Sequence, residues 1–321
     1  MLLDDGETFR YDRLLLTTGA APRRLHVPGG DLDGVHYLRS LADADHLAAA
    51  LNDANHVVVI GAGWIGSEVA ASARQLGRDV AMIDPGSVPL QRVLGTEVGG
   101  VYRNLHADYG VHLHLGTGVA SLHGGDHVEE VRLTDGSRRP ADLAIVGIGA
   151  APRVELAVAA GLAVDDGVIV DAHLRTSAPD VFAAGDAAAA FHPGLDAHIR
   201  VEHWANALHQ GAAAAKNMLG LPAPYDRVPY FFSDQYDLGM EYSGYAATWD
   251  RVMFRGDPAD GKSIAFWLAD GVVVAGMNAN VWDVTDPIQH LIRDRVAVNL
   301  DALADPDTPL DSVGADARVS S

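Results

Sequence analysis

The clearest pattern of apolar and polar positions covers residues 56–84. It opens with an apolar run from Val57 to Ile60, which is typical of a strand buried on both faces. A glycine-rich turn follows, then a stretch with helical spacing as far as Gly77, and finally a second apolar run that ends at Asp84. The pattern predicts strand, turn, helix and strand in that order.

Shorter patterns predict secondary structure on both sides of these residues, and Pro222 and Pro224 mark a boundary near the last third of the chain. Strands are predicted at 8–11, 13–17, 79–83, 111–115, 128–134, 143–146 and 168–170 and, beyond the boundary, within 230–244 and at 251–254, 264–268 and 272–277. Helices are predicted at 95–109, 154–160 and 204–219. This order indicates an α/β fold followed by a smaller α+β domain.

The turn after the first strand has the G-x-G-x-x-G pattern of dinucleotide-binding proteins. Gly61 allows the tight turn, Gly63 lets the backbone approach a pyrophosphate, and Gly66 lets the helix pack closely on the strand. The helix N-terminus then presents unpaired N–H groups and a partial positive charge to the phosphates. We therefore expect a nucleotide to contact Gly61, Gly63, Ile65 and Gly66. The alternative is that the glycines serve helix packing alone.

Asp84 stands at the end of the second strand, about 20 residues beyond the turn. A carboxylate at this place accepts hydrogen bonds from both ribose hydroxyls of NAD and repels the additional phosphate of NADP. The sequence therefore favours NAD over NADP.

Composition narrows the classes of protein. The 321 residues predict two or three domains, and a hydrophobic fraction of 48% is sufficient for their cores. Apolar runs stay well below the roughly 18 residues of a membrane span, and the opening residues 3–7 are acidic, unlike a signal peptide. We therefore expect a cytoplasmic protein. The formal net charge of -20 disfavours nucleic acids and anionic membranes as partners.

The sequence contains no cysteine, which excludes disulfides, thiolate metal sites and a redox-active dithiol within it. His112 and His114 share one face of a predicted strand, and His203 and His209 nearly follow a helical period. Because acidic or cysteine partners are missing at ligand spacing, we expect no metal site.

Several segments together resemble one family. They are residues 17–23 (Thr-Thr-Gly-Ala-Ala-Pro-Arg), 61–68, 180–186 followed by 202–207, and 230–236. The sequence resembles the FAD-dependent pyridine nucleotide oxidoreductases of the ferredoxin reductase type, which serve putidaredoxin, rubredoxin and aromatic-ring dioxygenase electron chains. The resemblance covers almost all of the chain.

The resemblance implies an α/β protein with two Rossmann-like dinucleotide-binding domains, the FAD domain being incomplete, and a small α+β C-terminal domain. The implied parts are a remnant of the first part of the FAD domain at 1–27, an NAD-binding domain at 28–148, the second part of the FAD domain at 149–221, a C-terminal reductase domain at 222–310 and a mobile tail at 311–321. The family's opening strand, its own glycine turn and its acidic ribose-binding residue are missing before Tyr11. We therefore expect an incomplete chain in which neighbouring strands have unpaired, apolar edges.

The resemblance also implies an activity: NADH passes a hydride to flavin, and the reduced flavin gives single electrons to a ferredoxin-type iron–sulfur protein. The cofactors FAD and NAD(H) do the bond-making, so protein residues position rings and tune charge. By the family's pattern, Glu68 is the catalytic residue that orients the nicotinamide. From the residues alone, a glutamate on a helix surface is the favoured interpretation.

The same resemblance places flavin-contacting residues in the second half of the chain. Asp186 would accept a hydrogen bond from a ribityl hydroxyl, or cap a helix, or do both. Trp204 would lie beside the isoalloxazine, with its helix start directed at the N1 and C2 carbonyl region, or else be an ordinary buried tryptophan. The other implied cofactor-binding residues are Thr18, Gly19, Arg23, Gly147, Gly149, Gly185 and Glu202. Of these, Thr18, Gly19 and Arg23 could instead form a crossover with a structural role alone.

Three functions stay open at this point, with a monomer or homodimer as the assembly. The leading one is an NADH-dependent flavoprotein reductase. A disulfide reductase of the glutathione or lipoamide type fits less well, because the histidine–glutamate dimer signature of those enzymes is missing near the C-terminus. A non-catalytic remnant would bind NAD without flavin.

Docking of a ferredoxin requires a local basic patch, since ferredoxins are acidic and this chain is acidic too. Sequence clustering gives four candidates, namely Arg251, Arg255, Arg293 and Arg295.

Overall fold

The computed structural model of the protein describes residues 3–314. Contacts divide this chain into two compact units. The first unit contains the described residues up to Ala21 together with Ala151–Phe231, and the second contains Pro22–Ala150 and the described residues from Phe232 onward. Within residues 3–314, every helix is too short or too polar to cross a bilayer.

Short strands and a smaller number of helices make up both units. The strands are β1 (Leu14–Leu16), β2 (Ala20–Pro22), β3 (Val35–Tyr37), β4 (His56–Ile60), β5 (Asp79–Asp84), β6 (His112–Leu115), β7 (Val119–Gly124), β8 (Val128–Leu133), β9 (Arg138–Pro140), β10 (Leu143–Val146), β11 (Ala150–Pro152), β12 (Val164–Asp165), β13 (Gly167–Val170), β14 (Val181–Ala183), β15 (Ala188–His192), β16 (Ala197–Ile199), β17 (Tyr230–Gln235), β18 (Leu238–Gly244), β19 (Arg251–Arg255), β20 (Ser263–Ala269) and β21 (Val272–Ala279). The α-helices are α1 (Leu41–Asp53), α2 (Trp64–Gln75), α3 (Gln91–Asp108), α4 (Glu155–Ala159), α5 (Trp204–Met218), α6 (Thr285–Asp294) and α7 (Leu300–Ala304).

A parallel sheet with the strand order β3-β10-β4-β5-β6 forms the centre of one half of the second unit. Successive side chains of a strand point to opposite faces, so the apolar run of β4 supplies two cores. Val57 and Val59 pack with α1 and α2 on one face. Val58 and Ile60 pack on the other face against the antiparallel sheet β7-β8-β9. The predicted strand buried on both faces is therefore confirmed.

The rest of the second unit is an antiparallel sheet with the order β17-β18-β21-β20-β19. On β20, Ile264, Phe266 and Leu268 point to one face and form a core with Ile288 of α6. Trp267 points the other way, is fully buried, and donates its indole N–H to the carbonyl oxygen of Leu94 at 3.1 Å. Because Leu94 belongs to α3, this bond links the C-terminal antiparallel sheet to that helix.

The first unit contains a parallel pair, β1 with β14, and a mixed sheet with the order β12-β13-β15-β16. Its core joins Leu16 of β1 and Ala183 of β14 to Val168 and Val170 of β13, with Ala214 of α5 packed beside them. Many of the buried positions are alanines, which lets α5 lie close to the strands. The strands β2 and β11 form a separate pair.

Two predicted elements differ from the observed ones. The strand predicted at 8–11 is not formed, since Thr8 makes only an isolated bridge and the Phe9 and Tyr11 side chains are about half exposed. Alternation alone does not make a strand, because a strand also needs a hydrogen-bonded neighbour. The helix predicted at 95–109 starts earlier, at Gln91, with a break at Gly95 where φ is 79° and ψ is -175°.

The predicted domain limits lie near the limits of the two units, although the structure groups residues 28–148 with most of the C-terminal part in one unit. The predicted mobile tail begins too early. Val313 is fully buried, and Gly314 forms a bridge with Val298, so residues 311–314 belong to the C-terminal sheet domain. Their few apolar residues gave no sign of this packing. Residues 315–321 lie outside the described residues.

Candidate functional site

The turn between β4 and α2 packs its glycines against one another. Gly61 has a φ of 103°, and a Cβ there would lie 2.4 Å from the carbonyl oxygen of Gly147. A Cβ on Gly66 would lie 1.9 Å from the carbonyl oxygen of Gly61. Gly63 differs, because apart from its chain neighbours a Cβ there would meet only the Gly147 oxygen, at 3.9 Å. The space above Gly63 is therefore open, as the approach of a ligand requires.

The N-terminus of α2 begins at this open place. Gly63 is the N-cap, and among the described residues no side chain caps this end and no acidic residue stands in the first turn. The first N–H groups of a helix have no acceptor within the helix, so they remain available here. Ile65, also predicted to contact a nucleotide, is exposed. The helix end thus offers donors and a partial positive charge to an anion.

Asp84 lies at the end of β5, beside the turn. Its Oδ2 accepts a hydrogen bond from the backbone N–H of Ala62 at 2.8 Å, and its Oδ1 accepts one from the N–H of Gly86 at 2.7 Å. Each carboxylate oxygen has a further lone pair, so the same side chain can fix the turn and accept a ribose hydroxyl. The sequence did not reveal the first of these roles, and the second stays a prediction.

Gly147 and Gly149 follow β10 on the other side of the turn. The Gly147 N–H donates to the carbonyl oxygen of Ile60 at 2.8 Å, and a Cβ on Gly147 would lie 3.2 Å from the nitrogen of Gly66. Gly149 has a φ of 98°, and its carbonyl oxygen accepts the N–H of Arg23 at 2.9 Å. The structure therefore brings both glycines and Arg23 together in the second unit, whereas their contact with a cofactor stays a prediction.

Glu68 lies in the second turn of α2 and is partly buried. Its Oε1 accepts a hydrogen bond from the Ser233 hydroxyl at 2.6 Å. Burial raises the pKa of the Glu68 carboxyl; the Ser233 hydrogen bond opposes this shift, and the negative charge of Asp234 adds to it. A freely exposed helix glutamate, which the residues alone favoured, is therefore not observed. Sequence reasoning missed Ser233 as a partner of Glu68, although it lies within the segment 230–236 that carries the resemblance.

Thr18 and Gly19 form the turn after β1 in the first unit. The Thr18 hydroxyl donates to the carbonyl oxygen of Arg153 at 2.6 Å, and the Gly19 carbonyl oxygen accepts the Arg153 N–H at 2.9 Å. Gly19 has a φ of 69°, which favours glycine. The predicted crossover is thus present as a structural feature, and its packing against flavin stays a prediction.

Gly185 and Asp186 lie in one turn of 3-10 helix directly after β14. Gly185 has a φ of 75°, and its N–H donates to Oε1 of Gln210 on α5 at 2.8 Å. Ala184 is the N-cap of this turn, so the interpretation of Asp186 as an N-cap residue is wrong. Asp186 lies near α5, since burial lowers the pKa of His203 and the charge of Asp186 opposes that shift.

Glu202 forms an ion pair with Arg200, whose side chain is largely buried. The second guanidinium nitrogen of Arg200 lies 3.0 Å from Oδ1 of Asp166, and Nη1 also donates to the carbonyl oxygen of Asp186 at 3.3 Å. One guanidinium therefore connects Glu202 to the turn that carries Asp186. Arg200 was missed by the sequence analysis because nothing in its local pattern distinguishes it from a surface arginine.

Trp204 is the first residue of α5 and is 69% exposed. The alternative of an ordinary buried tryptophan is therefore wrong. Nδ1 of His203 accepts the N–H of Ala205 at 3.2 Å, and the first turn of α5 contains no acidic residue. An exposed aromatic ring thus stands at a helix N-terminus with its partial positive charge.

Arg255, a candidate for the docking patch, has a different role. Its guanidinium donates hydrogen bonds to the carbonyl oxygens of Leu303, Pro306 and Thr308. It holds the segment after α7 against the sheet and is not free to meet a partner. Within residues 3–314, no group of three or more histidine, aspartate or glutamate side chains is arranged to hold a metal ion.

Known proteins match this arrangement over nearly the whole chain. Residues 2–211 match the family described as pyridine nucleotide-disulphide oxidoreductase, and residues 230–314 match the one described as reductase C-terminal. The chain is 41% identical, over 95% of its length and 75% of the relative, to the anthranilate 1,2-dioxygenase system ferredoxin--NAD(+) reductase component of Burkholderia cepacia.

Two further matches involve putidaredoxin reductase. The chain is 37% identical to putidaredoxin reductase of Pseudomonas putida, over 99% of this chain and 77% of the relative. Among solved structures, the covalent putidaredoxin reductase–putidaredoxin complex matches with a TM-score of 0.93 at 36% identity, over 97% of this chain and 76% of the solved one. The two-nucleotide α/β architecture with an antiparallel C-terminal domain is confirmed by this match.

Proposed function

The chain belongs to the pyridine nucleotide-disulphide oxidoreductase family, and we propose that it is a flavoprotein that passes electrons from NADH through FAD to a ferredoxin-type iron–sulfur protein. Its cofactors are FAD and NAD(H). Relatives named as a ferredoxin--NAD(+) reductase component and a putidaredoxin reductase favour this function over a disulfide reductase or a non-catalytic nucleotide-binding protein.

The observation that carries the proposal is the open glycine turn at the uncapped start of α2. The backbone N–H groups beyond Gly63 would bind the pyrophosphate of NADH, with Gly61, Ile65, Gly66 and Gly147 shaping the turn around it. Asp84 would accept hydrogen bonds from the adenosine ribose and so select NADH over NADPH. Glu68 would orient the nicotinamide ring.

The residues around the start of α5 would hold the ring end of FAD. Trp204 offers an exposed aromatic face, and the start of α5 offers positive potential for the N1 and C2 carbonyl region of the ring. Asp186 would bind the ribityl chain, and Glu202 would hold the adjoining backbone through Arg200. Gly185, Thr18 and Gly19 would be further flavin-binding residues of the first unit. Arg23 and Gly149 would be cofactor-binding residues of the second unit. When bound, FAD accepts a hydride and releases its two electrons singly.

The iron–sulfur partner would dock near the remaining basic residues, Arg251, Arg293 and Arg295. Reversal of Arg293 and Arg295 to glutamate should slow ferredoxin reduction at low salt while leaving reduction of a small dye unchanged. Unchanged ferredoxin kinetics at low salt would contradict this docking surface.

Three further statements belong to the proposal. They are domain boundaries near residues 27, 148 and 221, a cytoplasmic location, and a monomeric or homodimeric state. Limited proteolysis, cell fractionation and light scattering of the purified chain would test them in turn.

The function is tested by adding FAD to the purified chain, removing the unbound flavin and recording the spectrum. We expect retained flavin, NADH-driven bleaching of that flavin, and reduction of a ferredoxin and of a dye. The chain without FAD is the control and should reduce neither acceptor. Failure to retain flavin, or retained flavin that NADH does not reduce, would overturn the proposal.

A further inference from the structure

A buried row of hydrogen bonds connects Glu68 to the C-terminal sheet. Ser233 on β17 is 3% exposed and donates its hydroxyl to Oε1 of Glu68 at 2.6 Å. Nε2 of Gln235, also buried, lies 3.3 Å from the Ser233 oxygen. Oε1 of Gln235 lies 3.0 Å from Nε2 of His106 on α3. Nδ1 of His106 lies 3.1 Å from the hydroxyl of Tyr236.

The direction of every bond follows from the Glu68 end. An ionised carboxylate only accepts, so Ser233 must donate its single hydroxyl proton to it. The Ser233 oxygen must then accept from the amide nitrogen of Gln235, which turns the amide oxygen of Gln235 toward His106. His106 must carry its proton on Nε2, and its Nδ1 must accept from Tyr236.

The protonation state of His106 agrees with this direction. Burial lowers the pKa of the His106 imidazole to about 4, so the ring is neutral at physiological pH and can accept at Nδ1. All four hydrogen bonds therefore donate toward Glu68. Hydrogen bonds aligned in one direction polarise one another, which strengthens the last bond of the row.

The outer end of the row is held at the surface. The ring of Tyr236 stacks on that of Tyr109 with centroids 3.8 Å apart, and the Tyr109 hydroxyl donates to Oδ1 of Asp237 at 2.9 Å. Tyr236 is therefore fixed in place, and its hydroxyl stays directed at His106.

We propose that Ser233 is the positioning residue for Glu68, and that the row Gln235, His106 and Tyr236 keeps its hydroxyl directed at the carboxylate. The inference rests on the proposed function, in which Glu68 faces the nicotinamide. It assigns to the C-terminal sheet a part in the pyridine nucleotide site: the sheet fixes the orientation and the charge of a carboxylate carried by α2. An anionic carboxylate beside the ring favours NAD+ over NADH, because the ring becomes positively charged on loss of its hydride.

The Ser233 hydrogen bond opposes the effect of burial on the pKa of Glu68. Among the described residues, the titratable groups that bear on Glu68 from neighbouring elements are Tyr102 of α3 and Asp234 of β17. The buried Tyr102 keeps its proton, since burial raises its pKa well above the usual range. Asp234 disfavours a second negative charge. The Ser233 hydrogen bond is thus the interaction that lowers the pKa of Glu68 and favours its ionised form against burial and Asp234.

The test compares Ser233→Ala with the unchanged chain in two measurements. The first follows the titration of Glu68 by NMR of 13C-carboxyl-labelled glutamate, with Glu68→Gln identifying the signal. A hydrogen bond to a charged group is worth at least about tenfold in an equilibrium constant. Ser233→Ala should therefore lower the acid dissociation constant of Glu68 by on the order of tenfold, which favours the protonated form. The second measures the ratio of the NAD+ and NADH affinities from pH 5 to 9 by fluorescence titration, with pH steps of about one unit. The midpoint of this ratio should move to higher pH together with the Glu68 titration.

Matched variants separate positioning from a merely structural role. Ser233→Thr keeps the hydroxyl and should restore both readouts. Ser243→Ala removes another buried hydroxyl of the same sheet, one that accepts from Nε2 of Gln289, and should change neither. Tyr236→Phe removes only the outermost donor and should shift both readouts in the same direction by less. This variant keeps the proposal testable if Ser233→Ala does not fold.

The outcomes are distinct. A Glu68 titration that is the same in Ser233→Ala, Tyr236→Phe and the unchanged chain overturns the inference, even if NADH binds normally. A shifted titration with an unchanged affinity ratio overturns the link to the nicotinamide. Failure of the unchanged chain to bind NADH at all is a failure of the proposed function, and the NMR titration would still report whether Ser233 controls Glu68.

Discussion

The turn at Gly61 and the turn at Gly185 carry the two halves of the proposed chemistry, yet they are built in different ways. At Gly61 the backbone segments touch so closely that an added Cβ would overlap a carbonyl group. At Gly185 an added Cβ would meet Ala207 at an ordinary 3.5 Å, so only the positive φ requires glycine. Two side chains hydrogen-bond to the second turn instead: Gln210 of α5 and Arg200, the residue directly after β16. Hydrogen bonds hold both turns, those of Asp84 in the first, but only in the first turn does close steric contact exclude a Cβ.

The largest expected effect is that of one methyl group placed in each turn. In Gly66→Ala the new Cβ would lie 1.9 Å from the Gly61 oxygen, so the turn must open. Relieving this overlap costs up to about 3 kcal/mol. If NADH binds only to the closed turn, this cost lowers its affinity by about 100-fold. Gly185→Ala should cost about 1–2 kcal/mol in folding stability from its left-handed backbone and leave NADH affinity unchanged. Fluorescence titration with NADH and urea unfolding measure the two effects. Equal losses of NADH affinity in both variants would remove the distinction between the turns.

The next effect concerns pH and the buried His106 of the second unit. Its pKa falls from 6.5 to about 4 on folding, so the unfolded chain takes up the proton first. The contribution of the neutral His106 to the free energy of unfolding is therefore fully present above about pH 6.5. It is lost as the pH falls toward 4, where the free energy of unfolding is lower by about 3 kcal/mol. His106→Gln cannot titrate and should show a correspondingly smaller loss between neutral and acidic pH. Urea unfolding of both chains across this range measures the difference. Parallel pH curves would contradict the burial of a neutral His106.

A somewhat smaller effect is expected from Arg200, which bonds the turn of the first unit. Arg200→Ala removes charge-assisted bonds to Asp166 and Glu202 and should destabilise the protein by about 2 kcal/mol while weakening flavin retention. NADH affinity should stay the same. Arg13→Ala is the matched control, because Arg13 and Asp180 form an exposed pair at 3.6 Å whose contribution lies within about 0.5 kcal/mol. Comparable unfolding midpoints of the two variants would show that Arg200 has no special role.

The smallest effect is expected from Asp84→Asn in the nucleotide turn. The amide has one accepting oxygen, so it can accept from only one of the N–H groups of Ala62 and Gly86. Being neutral, it also no longer repels the additional phosphate of NADPH. NADH should bind about tenfold more weakly, and the preference for NADH over NADPH should narrow. Titration with both nucleotides measures this. An unchanged preference would show that Asp84 only fixes the turn.

The two turns also differ in how far the sequence predicts them. The nucleotide turn was predictable because its strands, glycines and Asp84 are contiguous and each position has its own steric or electrostatic reason. The partners that hold Glu68 and Asp186 were not predictable. Ser233 is separated from Glu68 by 165 residues, and Arg200 looks like any surface arginine in its local sequence.

Some misses had a signal that was overlooked. Ser40 and Asp43 form a capping box at the start of α1, and the spacing Ser-x-x-Asp before an apolar run could have predicted this helix. The false strand at 8–11 shows the opposite case, since its alternating pattern has no neighbouring strand among the described residues to complete it.

The most direct test of the account is the rate at which NADH bleaches flavin bound to the purified chain, measured by stopped-flow absorbance with NADH carrying hydrogen or deuterium at C4 of the nicotinamide. The account predicts that deuterium slows bleaching several-fold, because hydride transfer breaks that bond, and that Gly66→Ala loaded with flavin bleaches far more slowly at the same NADH concentration. Bleaching without an isotope effect, and at the same rate in Gly66→Ala, would contradict delivery of the hydride by a nucleotide bound at this turn.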